Sequence, residues 1–168
     1  MAMRRLVVIM GVLVLVLPAA AGALQRGPGD GTLVVDNAQG IVILAVRGGI
    51  IGRIDQGTIE VYDPVEGDGP APVVRGYQQA RQLGPKRIQY SGEGDVRFRL
   101  IGGFYRVRIA AIGMDISIVG RGTAVLDGSG FADQSGRYAL NGGPFQAMPH
   151  VPSRLALGVP LPGTLGSK

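Results

Sequence analysis

Short runs of β-forming apolar residues, each closed off by glycine or aspartate, recur along most of this chain. They fall at 32–36, 40–47, 49–54, 57–62, 72–75, 86–91, 95–101, 104–110, 114–119, 122–126 and 136–140. Starts mostly 8–10 residues apart are the spacing of an antiparallel sandwich or barrel. Several runs alternate strictly. Ile59 and Val61 take one side of their strand, and Thr58, Glu60 and Tyr62 the other. The run 41–46 is apolar on both sides, which predicts a central strand. Residues 76–83 are the only stretch suited to a helix, and eight residues make a marginal one. The expected fold is therefore all-β: a single antiparallel β-sandwich or barrel-like domain over residues 31–140.

Both ends of the chain depart from this cadence. Arg4 and Arg5 precede an apolar run at 6–17, then Pro18 and the small-x-small sequence Ala21-Gly22-Ala23. That is the order of a signal peptide, so residues 1–23 are expected to be removed on export. The run is about 12 residues, shorter than the ~20 of a spanning helix. The alternative is an uncleaved anchor, the only membrane contact then expected. Residues 24–30 form a polar lead-in. Residues 141–168 hold five of the 11 prolines and little charge, and read as an extended or disordered tail. The loop 63–72 (DPVEGDGPAP) reads as an exposed acidic connection.

Composition excludes much chemistry. With no Cys there is no disulfide, thiolate metal site, cysteine nucleophile or lipidated cysteine, and one His excludes any site of two imidazoles. The 168-residue chain carries a net charge of +5, and Arg4 and Arg5 supply two of those charges. The remaining +3 is no footprint of a nucleic-acid binder. His150 lies in the Pro-rich tail, and none of the six serines sits in G-x-S-x-G. Two loops hold oxygen ligands at calcium-like spacing: Asp63, Glu66 and Asp68, and Asp127, Ser129 and Asp133. Neither ends in a bidentate Glu, and Asp and Gly equally mark ordinary turns. No catalytic residue, metal or cofactor is expected.

The one feature pointing to binding is a group of arginines. Gly102-Gly103 lies between two alternating runs and predicts a two-residue hairpin turn. That register sets Arg99 opposite Arg106 and Arg97 opposite Arg108, with Phe98, Leu100, Tyr105 and Val107 on the buried side. A face of Arg97, Arg99, Arg106 and Arg108 suits phosphate or carboxylate groups. The plainer reading is a solvated face, partly neutralised by Glu60 and by Asp115 opposite Arg108.

Gly102-Gly103-Phe104-Tyr105-Arg106-Val107, Gly113-Met114-Asp115-Ile116-Ser117 and Gly120-Arg121-Gly122 together resemble exported all-β proteins of high-GC bacteria that have no established activity. The resemblance implies a signal peptide and one β domain, and carries over no functional residue. The expected function is a non-catalytic binding or structural module at the cell envelope, contacting an anionic envelope lipid or polymer. Residues 40–63, with short apolar triplets between glycines, also resemble the polymerising β-helix proteins called bactofilins. An exported hydrolase is the third possibility.

Overall fold

The computed structural model describes residues 27–130 and 135–159. The expected signal segment and the last nine residues lie outside them. Seven strands, all paired antiparallel, make up the fold: β1 (Gly31–Tyr62), β2 (Val73–Arg75), β3 (Gln79–Gly84), β4 (Arg87–Asp127), β5 (Arg137–Leu140), β6 (Gln146–Ala147) and β7 (Ser153–Leu157). Residues 76–83 form no helix; most of them belong to β3, which pairs with β4.

Two very long strands carry the architecture. β1 and β4 are the arms of one hairpin, running from Tyr62 opposite Arg87 to Gly31 opposite Gly120. The hairpin is wound on itself, so that from Ile41 onward β1 meets β4 along both edges. Ile43 faces Arg108 across one edge and Val125, seventeen residues later, across the other. Winding divides the strands into two layers. The first has the order β6, β5, 31–38, 114–119, 49–54, 96–101, β2, and the second β3, 87–93, 56–62, 104–111, 40–47, 121–127, β7. This is the connectivity of a jelly roll, a hairpin wrapped into a sandwich. Neighbouring strands run antiparallel throughout, unlike the parallel coils of a single-chain β-helix.

Glycine permits the passage between layers. Gly48 and Gly120 face each other with φ of 148° and 155°. A Cβ on Gly48 would lie 2.2 Å from the Val119 carbonyl oxygen, and one on Gly120 2.2 Å from that of Arg47. No other residue fits there without moving the backbone.

Register shifts keep one face inward through each passage. Leu33 and Val35 point to the core; after Asn37, with φ of 47°, the even residues Val42, Leu44 and Val46 do so. After residues 55–56 the parity returns, and Ile59 and Val61 are buried. A single core results, joined by Phe98, Leu100, Tyr105, Val107, Ile109, Met114 and Ile118 of β4. The run 40–47 is central, paired on both edges, yet only one face is buried: Ile43 is 43% exposed.

Part of the expected tail belongs to this fold: 146–147 and 153–157 are paired strands. β7 closes the second layer against residues 122–126, and Met148 and Leu157 are buried in the core.

Candidate functional site

The hairpin expected at Gly102-Gly103 is not formed. Those glycines carry β4 from the first layer to the second, so residues 96–101 and 104–111 never pair. Arg97 lies between Arg53 and Arg75, and Arg99 between Ile51 and Val73, on the outer face of the first layer. Arg106 lies between Ala45 and Tyr62, and Arg108 between Ile43 and Glu60, on the outer face of the second. All four are exposed, and Phe98, Leu100, Tyr105 and Val107 are buried as the alternation predicts. The opposed pairs 99/106 and 97/108 do not exist. Two consecutive strands on a wound hairpin sit in opposite layers, whatever glycine pair joins them. Asp115 likewise faces Arg53 rather than Arg108, whereas Glu60 does lie opposite Arg108 and also pairs with Arg87 at 3.4 Å.

The winding builds a different cluster. On the outer face of the first layer, a groove of about 690 Å³ is lined by Val34, Asp36, Ile51, Arg53, Val73, Arg75, Arg97, Arg99, Asp115 and Ser117. Each comes from an outward position on a strand of that layer. One row across the strands reads Val34, Ser117, Ile51, Arg99, Val73. The adjacent row contains Asp115, Arg53, Arg97 and Arg75, with Asp36 beyond. Arg97 and Arg99 were legible as outward arginines. Arg53 and Arg75 were not, because nothing local to them announces that their strands flank residues 96–101.

Charge in the groove is unevenly balanced. Arg53 pairs with Asp115 at 2.7 Å and with Asp55 at 3.3 Å, and the hydrogen bond and charge of Asp115 hold its pKa above the ordinary arginine value. Arg97 pairs with Asp95 at 2.7 Å, which raises Arg97 and lowers Asp95. Asp36 pairs with Arg137 at 2.6 Å. Arg75 and Arg99 make no ion pair or side-chain hydrogen bond with another described residue. They stand as diagonal neighbours on adjacent strands, with Val73 beside them. Two unneutralised guanidiniums at one end of a concave surface are suited to an oxyanion.

The other candidates disperse. Asp68 accepts a hydrogen bond from the Phe104 N–H at 3.0 Å and pairs with Arg47, and Glu66 pairs with Lys86, so the acids of the 63–72 loop do not converge. Asp63 Oδ1 is buried without a partner among the described residues. Asp127 accepts from the Ser129 N–H in a local turn, and Asp133 lies outside the described residues. His150 is exposed on the chain after β6, away from the groove. No helix among the described residues is long and apolar enough to cross a membrane.

No protein-family model, curated protein or solved structure matches this chain.

Proposed function

We propose that this protein is a non-catalytic, exported binding module that holds an anionic component of the cell envelope in the groove of its first layer. The observation that carries this reading is the pair Arg75 and Arg99, unneutralised at one end of the concavity. Arg53 and Arg97 lend further positive potential but are already engaged by carboxylates. The outward arginines of the second layer are a weaker choice. Arg106 lies over the Phe104 ring at 5.9 Å and Arg108 faces Glu60, so neither stands free in a groove.

Phosphatidylglycerol vesicles and soluble polygalacturonate are the probes that test this. Binding of one or both is expected, weakening with added salt. The double variant R75Q/R99Q should lose at least about tenfold in affinity, the scale of a lost charge-assisted contact. The double variant R106Q/R108Q should bind as the parent does. Unchanged binding by R75Q/R99Q, or an equal loss in both variants, rejects the groove as the site.

A further inference from the structure

The groove itself restricts which anion it accepts. Along its wall the charges are already paired: Arg53 with Asp115 and Asp55, Arg97 with Asp95, and Asp36 with Arg137. A polymer with an anionic group on every unit would meet Asp36 and Asp115 as it ran along the groove, so few of its groups could be well held. Only the end at Arg75 and Arg99 has positive charge to spare. Away from that end the floor is apolar or small: Ile51, Ser117 and Val34 on three successive strands. Val73 and Val34 are 44% and 36% exposed, so a ligand has apolar surface there to cover.

Building on the binding-module reading above, we infer that the groove takes a single amphiphilic anion. Its phosphate or carboxylate head sits between Arg75 and Arg99, and its hydrocarbon body lies across Ile51, Ser117 and Val34. The Cα atoms of Arg75 and Arg99 are about 7–8 Å apart, as diagonal neighbours are. Two guanidinium forks at that spacing grip one oxyanion from two sides. From the Arg99 strand to the Val34 strand is about 14 Å, three strand spacings, which gives the body an extended bed. A volume of about 690 Å³ is of the size that holds one such molecule. A flat bilayer face presents headgroups side by side and cannot lay one acyl chain along this floor.

Calorimetric titration of the purified protein with decyl phosphate, kept below its micellar range, tests the inference. Methyl phosphate, inorganic polyphosphate, neutral decyl glucoside and phosphatidylglycerol vesicles are the comparison probes. Decyl phosphate is expected to bind one to one, at least about a hundredfold tighter than methyl phosphate, since several methylenes leave water. R75Q/R99Q should weaken it at least about tenfold. Ser117→Phe, which fills the middle of the floor, should weaken decyl phosphate while sparing methyl phosphate. The substituted residues are all exposed on one outer face, and an unchanged far-ultraviolet spectrum verifies that each variant is folded. Decyl glucoside binding as tightly as decyl phosphate would overturn the inference, as would methyl phosphate doing so. If polyphosphate or vesicles bind through Arg75 and Arg99 while the decyl chain adds nothing, the amphiphile is rejected and the module reading stands. Silence from every anionic probe rejects both.

Discussion

Tyr105 has no exposed surface, yet it carries a hydroxyl into the core. Its Oη lies 3.0 Å from the carbonyl oxygens of both Pro70 and Ile101 and donates its one proton to either. The 63–72 loop is thereby tied to the passage at Gly102-Gly103, a tie reinforced by Asp68 accepting from the Phe104 N–H. Tyr105→Phe keeps the ring and removes this tie, so a loss of about 1 kcal/mol in denaturant unfolding is expected. Burial, and then the negative charge of Asp63, push the Tyr105 pKa upward. A raised folded-state value means that the phenol adds stability below the ordinary tyrosine pKa near 10, and that this is lost as pH rises further. The wild-type protein should therefore lose stability above about pH 10, and Tyr105→Phe should lose less of it. Equal alkaline losses in the two proteins would count against the burial argument. That Tyr105 points inward was legible from strand alternation. That the carbonyl of Pro70, thirty-five residues away, lies within its reach was not, because only the winding brings that loop over the passage.

At the scale of elements, β7 shows where composition misleads. Pro149 and Pro152 suggest a loose tail, yet they precede β7 rather than interrupt it, and proline beside a strand breaks no ladder. What orders residues 153–157 is the free edge at 122–126, an edge that exists only once β1 has paired with the opposite side of that segment. Leu157, with no exposed surface, anchors the strand in the core. Leu157→Ala is expected to cost about 2–4 kcal/mol in thermal or denaturant unfolding, the range for a buried leucine. Limited proteolysis should spare residues 146–157 in the parent protein and cut there in the variant. A parent protein trimmed to Asn141 that unfolds at an unchanged temperature would show that β7 contributes nothing. Gly102-Gly103 misleads in the other direction. A reversal and a passage between layers both ask for glycine, so the local sequence reads equally well as either. Within 31–62 and 87–127 the strand character and the inward faces were largely legible, since alternation is a local property, whereas β3, β6 and β7 were not. Which strand lies beside which was not, and the groove depends on that: Arg99 is placed next to Val73 by pairing alone.

The whole molecule is one wound hairpin, and this has a consequence for how it comes apart. Residues 41–62 of β1 are held by β4 on both edges, and the partners on the two edges belong to successive turns of the same coil. Opening any turn removes one edge from its neighbour, so no turn of the hairpin can separate at little cost. Gly48 and Gly120 sit where two turns cross, each backbone pressed on the other. Gly48→Ala should therefore destabilise the fold by about 2–4 kcal/mol, combining a positive φ with a clash against backbone. The loss should be shared by both layers. Far-ultraviolet circular dichroism reports the whole sheet, and tyrosine fluorescence reports five residues, of which Tyr62, Tyr90 and Tyr105 lie in the second layer and Tyr138 in the first. In urea the two signals are expected to trace one coincident transition for the parent, and one again, shifted to lower denaturant, for Gly48→Ala. Such pairings also span long stretches of chain, from Gly31 to Gly120 at the hairpin's open end, which places refolding in the millisecond-to-second range typical of non-local β folds. Two separate transitions in the parent, or a Gly48→Ala variant in which one signal moves and the other stays, would mean that the layers unfold independently and that the wound hairpin is not the cooperative unit.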